Sequence, residues 1–201
     1  MEDLPRCAWV TKDPLYLKYH DEEWGVPQRN EARLFEMLLL EGLQAGLSWL
    51  TVLKKRERYR EVFEGFAPEA MARIEAASLE IFLSDTGLIR NRLKMKALVE
   101  NAKAYLRLRE NCGDPAAFFW SFVGMEPNRN EWREHQQIPV ETEDSRRMSK
   151  ALKKNGFTFV GPTICYSFMQ AVGMVNDHLT GCWRYQVVSQ MNRPFEKQKG
   201  K

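Results

Sequence analysis

The sequence is poor in the features that mark secreted, membrane-embedded or fibrous proteins. Its four cysteines, Cys7, Cys112, Cys165 and Cys182, are spread over 201 residues, unlike the dense, regular set of a disulfide scaffold, and a reducing cytosol would keep them as thiols. No apolar run reaches the roughly 18 residues of a membrane span. The opening "MEDLPRCAW" lacks the basic-then-apolar layout of a secretory signal. Strand-like alternation is nearly absent, and there is no internal repeat or low-complexity tract. These absences lead to the expectation of a cytoplasmic, mostly helical protein that makes no use of a membrane.

What is present suits a globular domain. Hydrophobic residues make up 44% of the chain and charged residues 28%, too apolar for disorder and enough for a core without disulfides. The net charge is only +3, but the 30 lysines and arginines concentrate in "LKKRERYR", "IRNRLKMK", "SRRMSKALKK" and the tail "EKQKGK". Such runs permit a polyanionic partner, and a solvated face would produce them equally well.

Apolar residues recur at three- and four-residue steps over positions 31–60, 78–84, 90–110, 115–123, 145–154 and 163–176, with turn or cap residues between them, which predicts helices. The one short strand candidate, "FTFVG", follows Asn155-Gly156, a pair that also reads as a left-handed helix cap. Residues 126–144 are polar and aperiodic and read as a long surface connection. Positions 1–190 are expected to form one helical domain with a central part at about 31–125, and 191–201 a basic, disordered tail.

Near the C-terminal end "VNDHLTGCW" spaces His178 and Cys182 four residues apart. Of the other two histidines His135 lies in the polar connection, which leaves His20, and Cys7 stands thirteen residues before it. Two thiolates and two imidazoles suit tetrahedral zinc, and four protein ligands leave no open position, so such an ion would be structural. It would staple the two ends of the chain together. The alternative is a pair of satisfied structural histidines beside inert cysteines.

In "ARLFEMLLLEGLQAGLSWLTVL" the helical stripe Leu34, Leu38, Glu41, Ala45 carries Glu41 inward, with Glu36, Leu40 and Gln44 on the other side. A buried carboxylate is costly unless something pairs with it, so it either closes a structural ion pair or belongs to a functional pocket. Trp9, Tyr16, Tyr19, Trp24 and Trp49 surround this stretch in sequence. A carboxylate between aromatic walls would hold a cationic heterocycle.

The segment "SLEIFLSDTGLIRNRLKMKALVENAKAY" predicts a short helix, a tight turn at Thr86-Gly87-Leu88 and a longer helix. Backbone N–H groups and Arg90, Arg92, Lys94 and Lys96 at the start of that longer helix offer a place for a phosphate. Asp114 in "NCGDPAAFFW" sits where helix-hairpin-helix base-excision enzymes often keep a catalytic aspartate, but Asp followed by Pro is also an ordinary helix cap.

Taken together, "CAWVTKDPLYLKYHDEEWGVP", "LFEMLLLEGLQAGLSWLTVLKKRE", "WSFV" and "SKALKKNGFTFVGPTICYSFMQAVGMVNDHLTGC" resemble the bacterial 3-methyladenine DNA glycosylase I family, from about Cys7 to Cys182. The resemblance implies a mostly α helix-hairpin-helix glycosylase fold with one structural zinc on Cys7, His20, His178 and Cys182. It implies a base pocket of Glu41 with Tyr16, Tyr19, Trp24 and Trp49, and a Gly46-Leu47 wedge entering the duplex. Gly87, Arg90 and Arg92 would anchor the DNA backbone, although similar proteins tend to carry glycine where this hairpin has Leu93. Family members lack the usual superfamily aspartate, in line with the cap reading of Asp114.

The expected activity is therefore that of a monomeric, monofunctional DNA repair glycosylase that extrudes 3-methyladenine from double-stranded DNA and excises it by hydrolysis, leaving an abasic site. The rival reading is a noncatalytic, zinc-stapled nucleic-acid-binding module, which leaves the inward Glu41 unexplained. A zinc hydrolase is disfavoured, because a closed four-ligand shell has no position for water.

Overall fold

The computed structural model describes residues 4–191; the remainder of the basic tail, 192–201, lies outside the described residues. Ten α-helices account for most of the described chain. They are α1 (Pro14–Glu22), α2 (Glu31–Gln44), α3 (Trp49–Val62), α4 (Pro68–Ala72), α5 (Ala76–Ser84), α6 (Arg92–Cys112), α7 (Pro115–Trp120), α8 (Glu143–Lys154), α9 (Pro162–Ala171) and α10 (Trp183–Ser189). No helix among the described residues is long and apolar enough to cross a membrane.

Local chemistry sets most of the boundaries. Asp13 caps α1, accepting from the Leu15 N–H with Pro14 at the first helical position, and Asn30, Ser48 and Asn91 cap α2, α3 and α6 in the same way. Asp114 is the cap of α7, its side chain accepting from the Ala117 N–H at 2.9 Å. This is the structural role expected of it.

The periodic stretch 31–60 is two helices, because Gln44-Ala45-Gly46-Leu47 turns the chain. Ala45 has φ −43° and ψ 114°, Gly46 has φ +73°, and the Leu47 N–H donates to the Gln44 carbonyl at 2.6 Å. That is a type II turn, whose third position needs the positive φ that glycine adopts without strain. The stretch "FTFVG" forms no strand. The two strands observed are the parallel pair β1 (Asn128–Arg129) and β2 (Val175–Asn176), two residues each, which stitch the polar connection to the chain after α9.

α2 is the central helix. Every residue from Leu34 to Leu43 is buried, so its two sides are not apolar and polar as the stripe suggested. Glu36, expected on the outer side, is buried in an arginine cluster, accepting from Arg33, Arg56 and Arg60 at 2.7–3.0 Å. α9 and α6 pack against α2, and α4 and α5 against α6. The rings of Tyr59, Phe63 and Phe66 stack at the base of α3.

Candidate functional site

A cavity of about 150 Å³ opens beside the C-terminal half of α2. Tyr16 and Tyr19 reach it from α1, Glu41 and Gln44 from α2, Trp49 from the start of α3, and Trp9 and Trp24 from the segments flanking α1. The structure thus gathers all five expected base-pocket residues around one cavity. Five successive chain segments meet there, and the turn at Gln44–Leu47 sets Trp49 back against the helix that carries Glu41.

Glu41 is 3% exposed and its Oε2 has no hydrogen-bond partner. Burial alone pushes its carboxyl up to about 8. The indole Nε1–H of Trp49 is likewise buried without an acceptor. Tyr16 and Tyr19 are also pushed up, first by burial and then by the neighbouring Glu41, so both remain phenols with a proton to donate. The Tyr19 and Trp49 rings lie 5.3 Å apart, and Trp9 packs at 5.0 Å on both Tyr16 and Trp24. Unsatisfied buried polar atoms are rare in native proteins. Here a donor and an acceptor stand unused in the walls of one aromatic cavity, a layout able to take a flat, polar-edged ligand.

The far wall was not legible as part of the site. His135 and Ile138, on and just after a 3-10 turn at His135–Gln137, face the cavity, as do Ser167 and Gln170 from α9. The polar connection is therefore a cavity wall, and a buried carboxylate secures it. Asp177 accepts from Asn130 Nδ2 at 2.7 Å and Trp132 Nε1 at 2.8 Å on one oxygen, and from Tyr166 Oη at 2.6 Å and Gln170 Nε2 at 2.8 Å on the other.

Behind Trp9 and Trp24 lies a second cluster. The donor atoms of Cys7, His20, His178 and Cys182, all buried, fall within 4.8 Å of one another. His178 Nδ1 is 3.6 Å from both thiols, and His20 Nε2 is 3.5 Å from Cys182 Sγ. Tetrahedral zinc with bonds of about 2.3 Å to sulfur and 2.0–2.1 Å to nitrogen has sulfur–nitrogen edges of about 3.6 Å, so these separations fit the ion. The outer nitrogens agree: His178 Nε2 donates to the Trp24 carbonyl at 3.0 Å and His20 Nδ1 to Asp21 at 2.7 Å. Each leaves the other ring nitrogen free as a ligand. The Cys182 thiol is held low by the hydrogen bond from Cys7, and further by His178 and His20. Gly25 is required here, since a Cβ at its φ of +79° would stand 3.0 Å from His178 Nε2.

The two chain ends meet around this cluster. Trp183 N–H donates to the Pro5 carbonyl at 2.9 Å, and Arg6 pairs with Asp21 at 2.7 Å. Trp24 packs 4.6 Å from the His178 ring and Trp9 5.3 Å from His20, so the metal-competent cluster buttresses the aromatic wall of the cavity.

In the hairpin the residues expected to meet DNA divide. Gly87 donates its N–H to Asp85, and a Cβ there would lie 2.7 Å from the Arg58 side chain; close approach, and no positive φ, is what calls for glycine. Arg90 is exposed and makes no ion pair among the described residues, whereas Arg92 pairs with Glu80. Lys94, counted by sequence among the phosphate-facing cations, is instead buried against the end of α2. Leu93 is exposed at 68% and Leu47, on the turn after α2, at 38%.

Comparison with known proteins identifies the family. A family model described as methyladenine glycosylase matches residues 9–185. DNA-3-methyladenine glycosylase 1 of Escherichia coli is 52% identical over 183 residues, which cover 90% of this chain and 97% of that one. The Haemophilus influenzae DNA-3-methyladenine glycosylase is 50% identical, covering 88% and 96%. A structure of 3-methyladenine DNA glycosylase I from Staphylococcus aureus, described as showing the basis of 3-methyladenine recognition, superposes with a TM-score of 0.87 at 37% identity, covering 90% and 96%.

Proposed function

The chain belongs to the methyladenine glycosylase family, and on that premise we propose that it excises 3-methyladenine from alkylated double-stranded DNA by hydrolysis of the glycosidic bond. The observation that carries the reading is Glu41, a buried carboxylate with an unused oxygen in an aromatic cavity.

An adenine nucleotide methylated at N3 is cationic, so its glycosidic bond is weakened before the protein acts. No strong general acid is needed to expel the base. The work left to the protein is to extrude the nucleotide, hold the base, and admit water to an oxocarbenium-like sugar. Glu41 accepts from the donor edge of the base, and a positive ring beside it favours the carboxylate form that burial disfavours in the empty pocket. A neutral base offers no such compensation and leaves the carboxyl protonated, without the charge-assisted bonds. Selectivity thus comes from a carboxylate that only a cation can pair with. Tyr16 and Tyr19 donate, and Trp24 and Trp49 supply flat walls with cation–π attraction.

Gly46 and Leu47 form the wedge that fills the space left by the extruded base, and Gly87 with Arg90 and Arg92 holds the backbone. Arg92 gives up its exposed pair with Glu80 for this, a surface contact of small worth. Cys7, His20, His178 and Cys182 hold one zinc ion, whose contribution is to cross-link the chain ends behind the pocket.

Chromatography of bases released from N-methylated duplex DNA tests the activity. We expect 3-methyladenine with little 7-methylguanine; no release by folded, metal-loaded protein would overturn it. Elemental analysis should find one zinc per chain and chelation should lower Tm, and a metal-free protein of equal Tm would refute the staple.

A further inference from the structure

Lys94 lies in the first turn of α6, between exposed Arg92 and exposed Lys96, yet it is only 6% exposed itself. Its ammonium donates to the Leu43 carbonyl at 2.8 Å and the Ala45 carbonyl at 2.5 Å. It makes no carboxylate ion pair among the described residues. Burial lowers its pKa, so a desolvated cation is being held by main-chain oxygens alone. The final carbonyls of a helix have no partners within the helix and carry the negative end of its dipole. Lys94 satisfies two carbonyls at this end of α2, those of Leu43 and the cap residue Ala45.

The Ala45 carbonyl lies within the type II turn Gln44–Leu47, which has open space around Gly46 and ends at exposed Leu47. The next helix, α3, is tied to the same hairpin from the other side. Lys55 Nζ donates to the Thr86 carbonyl at 2.6 Å, Arg58 pairs with Asp85 at 2.8 Å, and the Tyr59 hydroxyl accepts from the Ile89 N–H at 3.0 Å. The helix before the turn and the helix after it are therefore both fastened to the segment Asp85–Lys94. Little space remains between α2 and α6 at this point, where the cavity lined by Leu43, Lys94 and Leu98 is about 10 Å³. The turn cannot shift relative to the hairpin without breaking these bonds.

We propose that Lys94 is a positioning residue for base extrusion: it locks the Gly46-Leu47 turn to the hairpin, so that the hairpin's hold on the DNA backbone fixes where Leu47 enters the duplex. This role rests on the glycosylase reading and on the wedge assigned to Gly46 and Leu47. It also explains why a lysine so close to the DNA-facing surface is no nucleophile, since its ammonium is buried and engaged.

The test compares wild type, Lys94→Met, Lys94→Gln and Lys94→Arg. The readouts are release of 3-methyladenine from N-methylated duplex, Kd for free 3-methyladenine by tryptophan fluorescence, and release from the same methylated strand annealed to a complement with abasic sites opposite adenines, where extrusion is cheap. A wedge misplaced by an ångström should slow release from the intact duplex about 10- to 100-fold in Lys94→Met. The Kd for the free base should stay within about twofold, as Lys94 does not line the base cavity, and the abasic complement should recover most of the loss. Lys94→Arg should restore part of the rate. Should Lys94→Met not fold, Lys94→Gln, which can still donate to one carbonyl, gives the same readings. Unchanged duplex activity, or equal losses in free-base binding and in both DNA substrates, would overturn the positioning role. A wild type that releases no 3-methyladenine would instead defeat the glycosylase reading on which it rests.

Discussion

Glu41 and Asp177 are both buried carboxylates at one cavity, and the fold treats them in opposite ways. Asp177, which reaches the cavity through Gln170, accepts four hydrogen bonds from neutral donors. Glu41 leaves an oxygen unused. Glu36, on the same helix as Glu41, has three arginines. A chain able to satisfy buried carboxylates in two ways leaves one unsatisfied in the aromatic cavity, and that contrast supports the base-binding role proposed for Glu41. Asp177 ties the polar connection to α9 and Glu36 ties α2 to α3, while Glu41 between them stays unpaired at Oε2.

The contrast can be broken at either end. The largest effect is expected for Asp177→Ala, which strands four donors, the buried Tyr166 hydroxyl and three half-buried N–H groups: a loss of about 3 kcal/mol or more in urea unfolding, with excision per folded molecule changed much less. If excision fell while stability held, Asp177 would belong to the chemistry instead of the scaffold. Next comes Glu41→Gln, which removes charge-assisted bonds worth about 1.5–3 kcal/mol; single-turnover excision of 3-methyladenine should fall about 10- to 100-fold.

The pH dependence sharpens the difference further. With its carboxyl pushed up to about 8 against an ordinary 4.5, folded Glu41 keeps a proton that the unfolded chain has released between those values. Its protonation supports the fold fully below about 4.5, and that support is lost as pH rises through 8. The slope is at most about 1.4 kcal/mol per pH unit. Urea unfolding at several pH values should show Glu41→Gln gaining on wild type as pH rises, and parallel curves would deny the shift. The smallest effect is expected for His135→Ala. His135 lines the cavity from an exposed turn and its side chain makes no hydrogen bond among the described residues, so KM should change by about threefold or less; a large fall in kcat would make the far wall part of the chemistry.

How much of the fold and the site was legible in the sequence depends on the range of the interactions. The stripe of α2 placed Glu41 inward because helical spacing is local, and the scarcity of histidine singled out Cys7, His20, His178 and Cys182 as one set although 171 positions separate Cys7 from His178. The same helical wheel misjudged Glu36, and the basic run at the start of α6 misjudged Lys94, which is buried. Whether a helix is covered on one side or all round depends on other elements, and α2 is surrounded. The far wall was hidden for a similar reason: residues 126–144 have no period, and their path is set by Asn130 and Trp132 reaching Asp177, 47 and 45 positions away. The break at Gln44–Leu47 was available from Gly46, but the apolar spacing on both sides of it read as continuous.

The most direct measurement of the central claim takes wild type and Glu41→Gln from the same preparations at pH 8 and records both the free energy of unfolding and the rate of 3-methyladenine release from methylated duplex. A carboxylate kept bare for a cationic base predicts opposite signs, with the variant at least as stable as wild type and its release rate lower. If rate and stability fell together, or if the rate did not change, Glu41 would be an ordinary structural residue and the account would be wrong.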